Sequence, residues 1–253
     1  MKILRRILRI LLIAAFWIGV WAFASWRVGK PLLLPSPAAV AARLWELMQT
    51  AEFYRTALNS LWNIVTGILI AVLGGSLLAV LTSRIKLLRE VLLPIMTVIK
   101  ATPVASFIIL ALIWIGAARV PTFITVLIVL PVVWTNLDEG FARIDPQLSE
   151  VARVYQMPFF KRLHILILPS LKPYFLAACR TSLGLAWKAG IAAEIIAMPR
   201  AHIGTMIGEG KLYLMTEDMF AWTLTVILLS LVIEFSFAAI WKQLDRKTPR
   251  KEA

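Results

Sequence analysis

Runs of about twenty apolar residues, each closed by a short charged segment, recur along the whole 253-residue chain. Hydrocarbon offers no hydrogen-bond partner to a backbone N–H or C=O, so runs of this kind must be helical. Sixty per cent of the residues are hydrophobic and the mean hydropathy is +0.82. A soluble domain lies nearer half apolar. The alternating ten-residue pattern of an outer-membrane barrel does not recur. These features predict an all-α, polytopic membrane protein with six transmembrane helices.

The spans are predicted at residues 10–26, between Arg55 and Arg84, and at 91–113, 120–137, 173–195 and 219–241. The first follows Lys2, Arg5, Arg6 and Arg9 and also has the form of a secretory signal, with Ala22-Phe23-Ala24 as a cleavage-like triplet. Retention as an anchor is favoured because five further spans follow. Lys100 interrupts the third span, Arg180, Lys188 and Glu194 interrupt the fifth, and Glu234 lies in the sixth. Pro103 and Pro131 are expected to kink their helices.

The formal charge is +13, from 27 basic and 14 acidic residues. Seventeen of the basic residues fall in segments on the side of the two termini and seven on the opposite side, with Lys100, Arg180 and Lys188 inside spans. By the positive-inside rule both termini are cytoplasmic. The charge therefore reports topology, and its placement between apolar runs argues against a nucleic-acid partner. The lone Cys179 cannot form an internal disulfide and reads as a small packed hydrophobe. His164 and His202 lie far apart with no ligand cluster nearby, so no metal site is assigned. Ser106 or Ser182 with a distant histidine makes no nucleophile–base pair, and no catalytic residue is assigned. The chain has no G-x-x-x-x-G-K-[ST] loop, so any ATP chemistry belongs to another subunit.

The longest segment predicted to be cytoplasmic is 138–168. Asp145-Pro146 is a helix start, with proline in the first turn and the acid at the positive helix end. The helix is predicted to run from Pro146 to about Tyr155, with Leu148, Val151, Ala152 and Tyr155 on one face. Met157-Pro158 ends it, and a second amphipathic stretch over 159–168 returns to the membrane at Pro169. Two readings are open at this point: a connector lying on headgroups, or an element that docks into a groove on a partner.

Glu150-Val151-Ala152 with the later Leu168-Pro169 resembles the EAA loop of bacterial ABC-importer permeases. In that loop Glu-Ala-Ala is followed by three residues, a glycine, and about a dozen residues on by Leu-Pro. Other stretches resemble the sulfonate, taurine and nitrate branch of that family. They are Leu34-Pro35-Ser36-Pro37 with the amphipathic helix after it, Lys100-Ala101-Thr102-Pro103, Trp114-Ile115-Gly116, and Leu185-Ala186-Trp187 with Ala193-Glu194. The likeness runs from 34 to 241. The chain departs from the pattern at Val151, a mild change, and at Gln156, where the family has glycine. Glutamine takes a positive-φ turn only with strain, so the bend is expected at Pro158 instead.

The resemblance implies the MetI-like ABC importer permease fold and a single transmembrane permease domain over 1–253. That domain divides into a first span and outer segment (1–35), a five-span core (36–241) containing the coupling loop 138–168, and a basic tail (242–253). It implies a non-catalytic subunit without cofactor, resident in the cytoplasmic (inner) membrane. The implied partners are a dimer of ATP-binding subunits, an extracytoplasmic solute-binding protein, a second copy of the permease, and the lipid bilayer. Glu150, Val151, Ala152, Gln156, Met157 and Phe160 are the residues expected at the coupling surface.

Intramembrane charges usually face protein or a water-filled cavity. Lys100, Thr102, Pro103, Ser106, Asn136, Lys188 and Glu194 are therefore candidates for the translocation pathway, the competing reading being that they satisfy one another between helices. Lys188 and Glu194 are six residues apart, a poor spacing for a helical ion pair, and are expected to have different partners. The branch favours a small anion such as an aliphatic sulfonate, taurine or nitrate, and similar permeases serve vitamin precursors such as pyrimidines or riboflavin. An ion-coupled secondary transporter is the alternative class, but the inverted repeat it would require is not evident.

Overall fold

The computed structural model describes residues 2–247; Met1 and the end of the basic tail, 248–253, lie outside the described residues. The elements in chain order are α1 (Lys2–Val28), α2 (Pro37–Met48), α3 (Ala51–Arg84), α4 (Lys86–Ala101), α5 (Val104–Ile115), α6 (Val120–Ala142), α7 (Pro146–Val154) and α8 (Phe159–Arg162). A π-helical turn (Leu163–Ile167) leads into α9 (Leu168–Ala197), followed by α10 (Ile203–Leu212) and α11 (Thr216–Lys247). Among the described residues there is no strand. Helix starts follow local chemistry. The Ser36 hydroxyl accepts from the Ala39 amide at 3.2 Å, with Pro37 in the first turn of α2, and Thr50 accepts from Phe53 at 3.3 Å to open α3.

The core is the contact of α3, α6 and α9. Along α3 the buried positions recur every three or four residues, and four of them, Gly67, Ala71, Gly75 and Ala79, are small. Small residues let helix backbones approach closely where lipid gives no hydrophobic drive to association. A Cβ added at Gly67 would lie 2.6 Å from the Thr125 Cβ, and one at Gly75 2.9 Å from the Val133 Cβ. On the other flank of α3, Ile64 fills the space left by Gly190 of α9. The Trp134 indole donates to the buried Thr82 hydroxyl at 3.1 Å, closing the same interface near its far end.

Four helical stretches are long and apolar enough to cross a membrane: Leu8–Val28, Ala51–Arg84, Val120–Ala142 and Thr216–Gln243. None of the apolar window of Leu8–Val28 is buried against the rest of the chain. The third predicted span is not one straight helix. α4 ends at Ala101, α5 starts after Pro103, and the two are bent by 104°. Proline has no amide to donate and biases the preceding Thr102 away from helix. The ends of this bent pair nevertheless lie at opposite ends of α6: Arg89 meets Asp138, while Ala118 accepts from Asn63 beside the start of α6. Pro131, by contrast, is accommodated inside a continuous α6.

α9 matches the fifth predicted span in position, but its charges keep it out of the apolar set. At 1.5 Å per residue its 30 residues extend about 45 Å. It runs the length of α6, from Leu171 and Tyr174 beside Gly140 to Ala189, Ala193 and Ala197, which share a core cluster with Val120 and Ile124.

The glycine contacts generate a direct expectation. Gly75→Ile inserts a branched side chain where a single Cβ already meets Val133, and it should destabilise the α3–α6 pair by about 1–3 kcal/mol. Gly74→Ile, whose Cβ would meet only the Leu130 Cδ1 at an ordinary 3.5 Å, should cost less. Thermal unfolding of the purified protein in detergent reads the difference.

Candidate coupling loop and intramembrane polar groups

The loop after α6 is built from strong local signals. The Asp145 carboxylate accepts from the Gln147 amide at 2.8 Å and Pro146 occupies the first turn of α7. The C-terminus of α7 closes with two paired bonds: the Gln156 amide donates to the Arg153 carbonyl at 3.0 Å, and the Met157 amide to the Ala152 carbonyl at 2.9 Å. This is a Schellman motif, whose penultimate position must be left-handed. Gln156 has φ +46°. The turn expected at Pro158 is therefore made by Gln156 itself, at the position where the EAA pattern has glycine. Pro158 follows in extended conformation and starts α8.

The expected surface residues separate into two groups. Glu150, Val151, Gln156 and Phe160 are exposed, Phe160 at 80%, and Met157 is half-buried. Ala152 is 4% exposed and holds the loop helix against the rest of the chain. Of the apolar face read from the sequence, Leu148, Val151 and Tyr155 are exposed and Ala152 is buried. Val154 and Tyr155, at 78% and 75%, are the most exposed apolar residues of α7 and its cap. Val154 was not singled out in the sequence, whereas Tyr155 was placed on the apolar face that the two open readings set against headgroups or a partner.

The intramembrane candidates are likewise divided. The Lys100 ammonium, exposed at the end of α4, donates to the Thr135 hydroxyl at 2.6 Å, which in turn donates to the Pro131 carbonyl at 2.7 Å. Thr102 turns its hydroxyl back to Val98 at 2.7 Å, and Asn136 gives its amide to Val132 at 2.8 Å, each bonding its own helix. Pro103 makes the break, and Ser106 is exposed in the first turn of α5. Lys188 and Glu194 are on different faces of α9: Lys188 is exposed together with Arg180, whereas Glu194 is fully buried.

Glu194 is the centre of a clamp. Its Oε2 accepts from the Ser60 hydroxyl at 2.8 Å and from the Gly204 amide at 2.9 Å, and Ser60 accepts from the Ile203 amide at 2.8 Å. The carboxylate and the Ser60 hydroxyl thus join α9 and α3 to the first two N–H groups of α10, one each. Gly204 is required there, since a Cβ would lie 2.3 Å from that of Glu194. Beside the clamp, His202 donates from Nδ1 to the Arg200 carbonyl at 2.7 Å and accepts at Nε2 from Asn63 at 3.0 Å. Burial holds its pKa below the ordinary histidine value. On the same side of the protein, Arg43 of α2 pairs with Asp218 of α11 and, at 2.9 Å, with Glu46. Hydrogen bonding to Asp218 raises the Arg43 pKa further. Ser60, Asn63 and His202 were not anticipated. Ser60 follows the four-residue spacing of buried positions in α3, a signal present in the sequence.

A helical, multi-pass membrane subunit with an exposed apolar loop is thereby defined. The chain belongs to the family of binding-protein-dependent transport system inner membrane components, whose model matches residues 64–250. It is similar to SsuC of Bacillus subtilis (strain 168), named for aliphatic sulfonates transport, at 26% identity over 83% of this chain and 77% of the relative. It is also similar to the taurine transport system permease protein TauC of Escherichia coli (strain K12), at 24% identity over 88% and 83%. A crystal structure of an amino acid ABC transporter superposes with TM-score 0.61 at 19% identity, over 81% of this chain and 98% of that one, and shares the fold. The protein is the permease subunit of an ABC importer, a multi-pass inner-membrane component that acts with an ATPase subunit and a solute-binding protein.

The left-handed Gln156 gives the loop a measurable weakness. Gln156→Gly should remove a backbone strain of about 1 kcal/mol, partly offset by glycine's greater freedom when unfolded. Amide exchange at Met157, whose N–H closes the motif, should slow by up to about fivefold.

Proposed function

We propose that this permease carries a small anion, of the aliphatic sulfonate, taurine or nitrate type, inward through a homodimer. The reading counts six spans, with the bent α4–α5 pair and α9 as one each, so that both termini share one side. The excess of basic residues on that side supports its being the cytoplasm, with α7–α8 facing the ATPase. The permease itself catalyses no reaction, and the solute reaches it from the binding protein outside.

The observation that carries the anion reading is the set of exposed cations on spanning helices. Inside the predicted spans Lys100, Arg180 and Lys188 are exposed, against Glu234 as the exposed acid there, because Glu194 is withdrawn into its clamp. The names of the relatives agree, including the nitrate import permease protein NrtB of Synechococcus elongatus, 26% identical over 71% of this chain. A second reading, a neutral heterocycle, rests on the riboflavin transport system permease protein RibX of Chloroflexus aurantiacus, 24% identical over 82%.

The test is uptake by proteoliposomes containing the permease, its ATPase subunit and its binding protein. Labelled taurine, nitrate and riboflavin are offered separately. Lys100→Glu should lower uptake of the anion by at least about tenfold, equivalent to about 1.4 kcal/mol, while leaving ATP hydrolysis within about twofold. Uptake of riboflavin alone would transfer the assignment to the second reading.

The coupling surface is proposed on Glu150, Val151, Gln156, Met157 and Phe160, extended to Val154 and Tyr155, with Ala152 supporting the helix from within. Exposed aromatic side chains are the usual anchors of an interface. Tyr155→Ala with Phe160→Ala should weaken association with the ATPase subunit by at least about tenfold. A cysteine at Val154 should crosslink to that subunit. Unchanged association together with no crosslink would remove the loop from the coupling role.

A further inference from the structure

Near the end of the α3–α6–α9 core that adjoins the coupling loop, a groove of about 730 Å³ opens between α3, α6, α9 and α11. Its walls are apolar, formed by Val80, Phe141, Phe175 and Trp241 among others. The basic side chains in its lining are Lys172 and His164, and Trp241 adds an indole N–H. The Lys172 ammonium lies 5.9 Å from the centre of the Trp241 ring. Phe175 and Phe237 each pack 6.4 Å from the same ring, centre to centre. The result is a long apolar slot with an aromatic wall and a positive charge at one side.

We propose that this groove binds an anionic phospholipid, with an acyl chain along the aromatic wall and the phosphate at Lys172. Tryptophan near a span end marks the headgroup level, and a basic pocket between spanning helices at that level matches an anionic headgroup. Charge complementarity selects this occupant. Lys242 follows Trp241 in the chain, and Phe141 also lines a neighbouring cavity that carries Arg84, Lys86, Arg89 and Arg162 against Glu90 and Asp138. A second permease copy, itself basic at the same level, would bring like charge to the slot.

The site has a mechanical consequence. Its lining includes His164 of the π-helical turn and Leu168 at the start of α9, so a bound lipid touches the joint between coupling loop and core on one side and α11 on the other. Single π-helical turns are frequent at functional positions. An occupied groove restrains this joint and thereby tunes how loop movement reaches α9. That consequence depends on the coupling role proposed above, whereas lipid binding itself does not.

The test is native mass spectrometry of the detergent-purified transporter complex. It is exposed in turn to phosphatidylglycerol and phosphatidylcholine of the same chain length. Wild type should retain one phosphatidylglycerol per permease copy in preference to phosphatidylcholine. Lys172→Gln should weaken retention by about fivefold, as removal of one surface cation does, and Trp241→Ala should weaken retention of both lipids. Lys86→Gln, which removes a cation from a different cavity on the same side, should leave retention unchanged. Equal retention of the two lipids, or equal loss from Lys172→Gln and Lys86→Gln, would overturn the proposal. So would a crosslink from a cysteine at Phe175 to a second permease copy. Lipid binding without any effect of phosphatidylglycerol on ATPase rate would keep the site and refute its mechanical consequence.

Discussion

Close backbone approach between α3 and its two neighbours is the constraint on which the rest of the structure depends. In lipid there is little hydrophobic gain from pairing apolar helices, so association relies on dispersion and a few hydrogen bonds over surfaces that fit. The succession Gly67, Ala71, Gly75 and Ala79 gives α3 a flat face for α6, and Gly190 gives α9 a recess for Ile64. With three helices held this tightly, the remaining ones can be irregular. α4 and α5 bend by 104° without separating from the core, since Arg89 is held by Asp138 at one end and Ile108 and Ala111 of α5 pack against the alanines of α9.

The same packing explains how a helix with four charged residues is tolerated at the centre of a membrane protein. α9 gives its uncharged face, with Ala178, Ser182, Ala186 and Gly190, to α3 and α6, and Arg180 and Lys188 to the opposite, exposed face. Glu194, on the buried side, is held by two donors, the Ser60 hydroxyl and the Gly204 amide, rather than by a cation. An ion pair there would hold two residues; a carboxylate that accepts from a hydroxyl and a helix N-terminus holds three elements together.

Much of the architecture was legible in the sequence because bilayer thickness fixes the length of an apolar run. The spans at 10–26, 120–137 and 219–241 all fall within single helices, and Asp145-Pro146 marks the start of α7 as it should. What was not legible depends on tertiary context. Pro103 and Pro131 look alike in sequence, yet only the first breaks a helix: Pro131 is buried in the packed α6 interface, whereas Pro103 lies on an exposed segment free to turn. Gln156 was expected to avoid the left-handed turn, but its cost of about 1–2 kcal/mol is outweighed by two hydrogen bonds and the burial of Ala152. Glu194 was grouped with Lys188 as a pathway candidate because sequence shows only that both interrupt a span. The side of the helix each one faces is settled by Ser60, which is 134 residues away.

α9 connects the two halves of this account. It starts directly from the π-helical turn that ends the exposed loop, continues without a break for 30 residues, and is clamped at its far end to α3 and α10 through Glu194. Under the proposed coupling role, a continuous helix of this kind carries a push on α7–α8 toward α10 as movement of whole helices rather than as local bending. The hydrogen-bond ladder is irregular at the turn Leu163–Ile167, and Pro173 removes one further donor in the first turns of α9. Both irregularities lie at the end of α9 next to the loop, whereas the Glu194 clamp ties the opposite end to α3 and α10.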